Sequence, residues 1–334
     1  MLAVYYIITM ILQVLTKELV MATEQCSVYQ FKSPFYPGES CEDVYNKNLE
    51  SRDKAGYYWI TDGPTRVYCG MTYTGSSCED IYSNNPEIGD KAGYYRINGA
   101  QWTYCNMTMT TPMSTCYAGA STGGWIRVAS FNRSAGDSCP SGWIGDTIQG
   151  VSFCRINDIS PGSCSSTLFS ANGISYQKVC GRARGYQKGP TYGFYASTVG
   201  RDINQYYVDG LSITYGSPRQ HIWTYAMGRT DNDTNSLNCP CAPYPGPVSP
   251  SYVGSHYYCE SGVNNNPQFE FYSDDPLWDG SDCFSGNCCN IPNLPWFYRE
   301  LDETTTNDIE ARLCAWDFYS HASAVVDQLE IFIQ

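Results

Sequence analysis

The chain has 334 residues, 33 acidic and 20 Lys or Arg side chains, and a formal net charge of −13. It contains no basic run, so we expect no nucleic-acid partner, because binding nucleic acid requires clustered Lys and Arg. Seventeen cysteines predict an oxidising compartment, and their odd number leaves one thiol over.

The N-terminus predicts export. Residues 2–15 form an apolar run, and Val20-Met21-Ala22 offers small residues before Thr23. We therefore expect residues 1–22 to be a signal peptide and residues 23–37 a linker carrying Cys26. Residues 2–15 are too few for a membrane span, so none is expected after cleavage.

Residues 40–109 contain one pattern twice, and we assign residues 38–74 to the first copy and 75–112 to the second. Each copy opens with Ser-Cys-Glu-Asp-(Val/Ile)-Tyr, passes through Asp-Lys-Ala-Gly-Tyr-Tyr-x-Ile, and closes with Tyr-Cys-x-Met-Thr. The opening cysteines are 37 residues apart and the closing cysteines 36. Such a tandem duplication predicts one small unit built twice.

Each copy has the signals of a short helix followed by a hairpin. Ser40 and Ser77 stand three residues before an Asp, which is the capping-box spacing, and the helices should end near Asn48 and Asn85. Two aromatic-rich strands should follow, joined by turns at residues 62–64 and at Asn98-Gly99. If Cys41 pairs with Cys69 and Cys78 with Cys105, each bridge closes a loop of about thirty residues and contributes roughly 3–4 kcal/mol.

Residues 116–334 predict a β-rich, loop-heavy domain, because short aromatic and β-branched runs alternate with Gly, Pro, Asn and Ser. Residues 326–333 alternate as a half-buried terminal strand would. One short helix is expected from Thr306 to Arg312. The fold class predicted for the whole chain is α+β, predominantly β.

The repeated pattern resembles the N-terminal subdomain of fibrinogen-related domains and intelectin-like lectins. In those families a helix and a hairpin, held by one disulfide, lead into a Gly-Gly-Trp strand. Gly123-Gly124-Trp125 follows the second copy here and resembles that entry. The first copy has no such sequel, so it is expected to be a free-standing extra unit. The resemblance implies a fibrinogen-like C-terminal domain.

Residues 122–334 resemble a family of secreted marine-invertebrate proteins, some of them uncharacterised skeletal organic matrix proteins of stony corals. The similar phrases include Gly-Trp-Ile-Arg-Val-Ala-Ser-Phe-Asn at 124–132, Val-Cys-Gly-Arg-Ala-Arg-Gly-Tyr-Gln at 179–187 and Asp-Asp-Pro-Leu-Trp-Asp-Gly at 274–280. This resemblance implies a location in an extracellular matrix more than it implies a mechanism.

No catalytic constellation is present around the three histidines, His221, His256 and His321, so we expect a non-enzyme that requires no cofactor. His221 lies in a strand-like run and is interpreted as structural.

Calcium is the one ion with candidate ligands. Asp231 and Asp233 match part of the fibrinogen-type calcium loop, but Arg229 replaces its first Asp, which favours a solvated acidic loop. Asp274, Asp275 and Asp279 could gather around a hard cation or could equally cap turns around Trp278. The stretch from Glu300 to Glu310 is interpreted as a solvated acidic face.

Three asparagines, Asn106, Asn132 and Asn232, head glycosylation sequons. The favoured hypothesis is a secreted acidic structural protein that assembles by disulfides and associates with matrix proteins, calcium carbonate or Ca²⁺. The alternative is a Ca²⁺-dependent lectin that binds glycans.

Overall fold

The computed structural model describes residues 37–60, 65–99, 101–107, 124–157, 163–188, 191, 193–194, 202–205, 208–230, 249–263, 297–315 and 323–334. They belong to two compact units. The first comprises the described residues of Met1–Thr110 and Thr122–Ile126, and the second those of Arg127–Gln334. The described chain is mostly β, as predicted.

The first unit contains both copies of the repeat. Its elements are α1 (Cys41–Lys47), β1 (Gly56–Ile60), β2 (Thr65–Gly75), α2 (Cys78–Asn84), β3 (Gly93–Ile97), β4 (Gln101–Asn106) and the first residues of β5 (Trp125–Asn132). A 3₁₀ turn follows each helix, at Leu49–Ser51 and at Pro86–Ile88.

Both helices start and end where the sequence predicts. The Ser40 hydroxyl accepts a hydrogen bond from the Asp43 amide at 3.1 Å, and the Ser77 hydroxyl accepts one from the Asp80 amide at 3.0 Å. The Asp43 and Asp80 carboxylates in turn accept hydrogen bonds from the amides of Glu39 and Ser76, the residues that precede the two caps. These bonds satisfy amides that a helix start otherwise leaves unpaired.

A hairpin follows each helix, and its tyrosine pair has one role in both copies. Tyr58 and Tyr95 are buried, and each donates its hydroxyl to a main-chain carbonyl four residues earlier, at 2.7 Å and 2.5 Å. Asn98 and Gly99, at φ 50° and 78°, turn the second hairpin in the left-handed region.

The prediction that the first copy is free-standing is wrong. β2 lies parallel to β3, with Cys69 opposite Tyr94 and Gly70 opposite Tyr95, so the two hairpins share one sheet. Side chains alternate between the faces of a strand, and this register therefore places Cys69 and Cys105 on opposite faces. The two helices, which start at the bridged cysteines, accordingly attach to opposite faces.

The second unit is built from two sheets. Its strands are the rest of β5, then β6 (Trp143–Ile148), β7 (Val151–Ile156), β8 (Ser163–Phe169), β9 (Tyr176–Lys188), β10 (Gly210–Tyr215), β11 (Gln220–Thr230), β12 (Tyr257–Val263), β13 (Phe297–Thr305), β14 (Ile309–Ala315) and β15 (Ser323–Ile333). A 3₁₀ turn, Arg133–Ala135, follows β5. One sheet has the order β12-β11-β10-β14-β8, and the other contains β13, β9, β15, β7 and β6.

Two predictions in this unit are wrong. The expected helix from Thr306 to Arg312 is a strand, β14, because Ile309, Ala311 and Leu313 are buried at every second position and pair with β8 and β10. The predicted terminal strand is present as β15, and its alternation holds from Gln328 to Ile331, but half-burial is wrong at Phe332. The strand pairs with β9 and β7, and Phe332 is buried together with its neighbours.

The cores of the two sheets meet through aromatic and aliphatic side chains. Trp223 of β11 stacks on Phe297 of β13, with ring centroids 4.5 Å apart and planes 11° from parallel. Leu211 and Ile213 are fully buried, as are Leu329 and Ile331 on β15. The opposite face of the five-stranded sheet carries polar side chains instead.

The junction between the copies requires a glycine at position 70. A Cβ at Gly70 would lie 2.3 Å from the Tyr95 ring, so we expect Gly70→Ala to destabilise the first unit by about 1–3 kcal/mol through overpacking. Urea unfolding measures this change. The control is Asn106→Ala, at the equivalent position of the second copy, where a Cβ is already accommodated. An equal loss in both variants would contradict the prediction.

Candidate functional site

The acidic residues predicted to bind calcium cannot be placed. Asp231, Asp233, Asp274, Asp275 and Asp279 lie outside the described residues, as does the sequon residue Asn232. Within the described part of the chain, no group of three or more His, Cys, Asp or Glu side chains is arranged to hold a metal ion. The calcium hypothesis therefore remains a prediction for those five residues.

The other two sequon asparagines lie at the ends of strands. Asn106 ends β4, and its carbonyl accepts the Gly124 amide at 3.2 Å. Asn132 ends β5, and its side-chain oxygen accepts the Ser134 amide at 3.0 Å. Both residues are half-buried.

Disulfides connect both ends of each repeat, with the bonds Cys41–Cys69 and Cys78–Cys105. In the second unit, Cys139–Cys154 closes a local loop and Cys164–Cys314 joins β8 to β14 across 150 residues. Cys180 and Cys259 are also disulfide-bonded. On the chain-entropy relation, the bridge that closes the longest of these loops stabilises the folded state by about 5 kcal/mol, and each repeat bridge by about 3.5 kcal/mol.

A tyrosine clamp holds the two copies together on one face of the first unit. Tyr45 of α1 meets the Trp102 ring edge to face at 5.8 Å, and the Arg96 guanidinium lies 4.8 Å from the centre of the Tyr45 ring. Arg96 also donates to the Tyr45 hydroxyl at 3.1 Å. Arg96 and Trp102 are cross-strand partners, so both contact the Tyr45 ring from neighbouring positions of the second hairpin.

The first copy has the same pair with its members exchanged. Trp59 and Arg66 are cross-strand partners at the equivalent positions. Arg66 is exposed, and its guanidinium lies 5.5 Å from the ring centre of Tyr57, which is itself 47% exposed. This Trp-Arg pair is therefore a partly exposed aromatic and cationic surface.

The polar face of the second unit lies on the five-stranded sheet. Ser212 and Thr214 alternate with Leu211 and Ile213 along β10 and are buried. Their cross-strand partners are also polar: Thr224 and His221 on β11, and Arg312 and Glu310 on β14. We call these six residues the polar face.

An ion pair anchors this face. Arg219 donates from both Nε and Nη2 to the Glu310 carboxylate, at 2.6 Å and 3.1 Å, and the Thr214 hydroxyl donates to it at 2.9 Å. Burial opposes ionisation of Glu310, but the hydrogen bonds and the charge of Arg219 outweigh it, so the pKa of this carboxyl is lowered. Such a bidentate pair fixes the geometry of the face.

A second buried carboxylate lies between β9 and β15. Asp327 sits where the register of β15 shifts and is fully buried, and Arg184 donates to both of its oxygens. Burial raises the pKa of Asp327, although the hydrogen bonds and charge of Arg184 oppose this shift. The two buried ion pairs are structural.

His221 occupies the corner of the polar face. Its Nε2 lies 2.8 Å from the Thr224 hydroxyl, while Nδ1 is buried without a hydrogen-bond partner among the described residues. Burial, assisted by the charge of Arg299, lowers its pKa to about 3. A neutral imidazole in this setting is consistent with the structural role predicted from sequence. The alternation of Leu211 and Ile213 with Ser212 and Thr214 is the sequence signal that would have indicated this face.

Exposed acidic residues follow one edge of the second unit. Glu300, Asp302 and Glu303 are exposed on β13, and Asp308 is exposed just before β14. β13 pairs with β9, so Glu300, Asp302 and Glu303 lie on a strand at the margin of its sheet as described. We call the four residues the acidic edge. The sequence predicted a solvated acidic face from Glu300 to Glu310. These four residues are exposed, but the prediction is wrong for Glu310, which is buried and paired with Arg219.

Comparisons of the chain with protein-family models, with curated proteins and with solved structures found no match. Among the described residues, no helix is long and apolar enough to cross a membrane.

The depressed pKa of His221 makes stability pH-dependent. The unfolded chain takes up a proton near pH 6.5 and the folded chain only near pH 3, so stability present above pH 6.5 is lost as the pH falls. We expect His221 to account for a loss of about 2 kcal/mol between pH 6.5 and pH 5. Urea unfolding of wild type and His221→Gln over this range measures it. The variant should show a shallower pH slope, and an identical slope would contradict the assignment.

The Arg219–Glu310 pair predicts a charge-specific effect. Glu310→Gln leaves the Arg219 guanidinium half-buried without its counter-charge, and we expect a loss of about 3–5 kcal/mol in the free energy of unfolding. Asp146→Asn is the control, because the Asp146 side chain is 35% exposed, against 10% for Glu310, and its pair with Arg155 should contribute about 1 kcal/mol or less. Equal losses in the two variants would contradict the prediction, because the burial of Glu310 would then not increase the contribution of its ion pair to the free energy of unfolding.

Proposed function

We propose that the protein is a secreted, non-catalytic structural protein of an extracellular matrix. The observation that carries this proposal is the distribution of the disulfides. Each small repeat is closed by its own bridge, and further bridges lie within the second unit. Disulfides of this density fit a secreted or extracellular protein, because cytosolic thiols are kept reduced.

The architecture also favours a mechanical role. The two copies share a sheet, are each stapled, and are clamped through Tyr45, which gives a rigid unit of small size. A unit this small has little core of its own, and the bridges supply stability that burial does not. Rigidity of this kind suits a spacer or an assembly module.

The acidic edge supports an association with calcium mineral. Glu300, Asp302 and Glu303 are exposed on β13, around the irregular stretch of its pairing with β9 between Glu300 and Thr305, so three carboxylates are presented to solvent close together in the chain. Carboxylate oxygens are the ligands that Ca²⁺ prefers. The overall charge of −13 acts in the same direction. The resemblance of residues 122–334 to skeletal matrix proteins agrees with this association.

The lectin alternative depends on residues that are not described. Its calcium loop would be formed around Asp231 and Asp233, outside the described residues. Glycan binding that a chelator abolishes, with no retention on mineral, would replace the matrix proposal by the lectin.

Retention on calcium carbonate tests the mineral association. We expect the purified protein to bind calcite, and Asp302→Asn/Glu303→Gln to lower the apparent affinity several-fold at low salt, because both carboxylates are exposed on the acidic edge. The matched control is Glu42→Gln/Asp53→Asn, which removes the same charge from exposed positions of the first unit. Equal retention of the two double variants would assign binding to net charge and contradict a role for the edge.

A further inference from the structure

The tyrosine clamp takes one half from each copy of the repeat. Its ring is Tyr45, from the helix of the first copy, and its Trp-Arg pair is Arg96 with Trp102, from the hairpin of the second. The duplication supplies both halves twice. One helix tyrosine and one Trp-Arg pair are therefore left over.

The helix tyrosine that is left over is Tyr82. It occupies the fifth position of α2, as Tyr45 does in α1. The side chain is half-buried, and it makes no hydrogen bond or ring contact in the part of the chain that the structure describes. Arg52, whose guanidinium lies 5.3 Å from the centre of the Tyr45 ring, is replaced by Gly89 in the second copy. Tyr82 thus has neither of the arginine contacts that Tyr45 makes.

The Trp-Arg pair that is left over is Trp59 with Arg66. Both side chains share a face of the first hairpin with Tyr57, because cross-strand partners and residues two apart lie on the same side. On the second hairpin the corresponding face is covered, since Tyr94, the counterpart of Tyr57, packs against the core beneath α1. On the first, Arg66 is exposed, Tyr57 is 47% exposed, and Trp59 has no ring contact among the described residues.

The surroundings of the two Trp-Arg pairs match. Beside each pair two tyrosines meet edge to face with ring centroids 5.4 Å apart, Tyr57 with Tyr68 in the first copy and Tyr94 with Tyr104 in the second. The Trp and the Arg have exchanged strands, but each copy still presents an indole and a guanidinium side by side. These are the two groups that hold a tyrosine ring in the clamp, through an edge contact and a cation over the ring.

We propose that Tyr82 of one copy of the chain docks on Trp59 and Arg66 of another copy, so that the copies associate head to tail. Within one chain the two halves make no contact among the described residues. The two surfaces differ, so each copy can bind one partner through each of them. Because β5 lies beside β4, the contact is made by side chains and does not extend the sheet. The inference does not rest on the proposed matrix role, since self-association and retention on calcite are measured separately.

Sedimentation velocity of the full secreted chain at physiological salt tests this proposal. We expect dimers and larger species to form with a Kd on the order of 0.1 mM, because one docked ring with its neighbours makes a small interface. Tyr82→Ala removes the ring, and Arg66→Glu places a negative charge where the ring needs a cation. Each variant alone should raise the apparent Kd by about tenfold or more. An equimolar mixture of the two should form dimers and nothing larger, because one intact ring and one intact Trp-Arg pair remain.

Two matched variants control for charge and for apolar surface. Lys54→Glu makes the same charge change at an exposed position of the first unit, and Leu49→Ala removes a side chain that is 72% exposed there. Neither should change association, and circular dichroism reports that every variant is folded before mixing. A monomeric wild type, or association that persists in both Tyr82→Ala and Arg66→Glu, would overturn the proposal. Loss in both folded variants without recovery on mixing would also overturn it, since the contact would then not join these two surfaces.

Discussion

The first unit depends on one covalent constraint that is applied twice. In each copy a bridge ties the first residue of a seven-residue helix to the second strand of a hairpin. A helix of this length is not stable alone, since nucleation is costly and few hydrogen bonds follow. The serine cap and the disulfide together hold it against the hairpin, and the buried tyrosine below it completes the core.

The duplication then produces an interface from elements that were already present. Because the register between the parallel strands β2 and β3 places Cys69 and Cys105 on opposite faces of the sheet, the two hairpins present opposite faces to their helices. The surface of the second hairpin that faces away from its own helix is thereby available to α1, and Tyr45 fills it between Arg96 and Trp102. The second copy therefore provides a packing surface for the helix of the first copy without any additional element. The equivalent surface of the first copy, with Trp59 and Arg66, is the one left partly exposed.

Local signals predicted the first unit better than the second. Serine caps and the Asn98-Gly99 turn act within a few residues, and the repeated cysteine spacing closes loops of only 28 and 27 residues, so the helices and hairpins could be derived from the sequence. The parallel junction between the copies is a long-range contact with no local signal, and the first copy was wrongly expected to stand alone. The prediction of a helix from Thr306 to Arg312 was wrong for a related reason: Ile309, Ala311 and Leu313 alternate along β14, and the strand pairs with β8 and β10, which are distant in the sequence. Of the polar face, His221 was recognised, whereas its connection to Arg219 and Glu310 depends on strand register.

Disulfide mapping of the secreted protein under non-reducing conditions tests the central claim most directly. The account predicts the peptides Cys41–Cys69, Cys78–Cys105, Cys139–Cys154 and Cys164–Cys314, each near full occupancy. Free thiols at Cys41 and Cys78, or bridges that join one copy to the other, would contradict it, because each repeat would then lack the constraint that holds its helix.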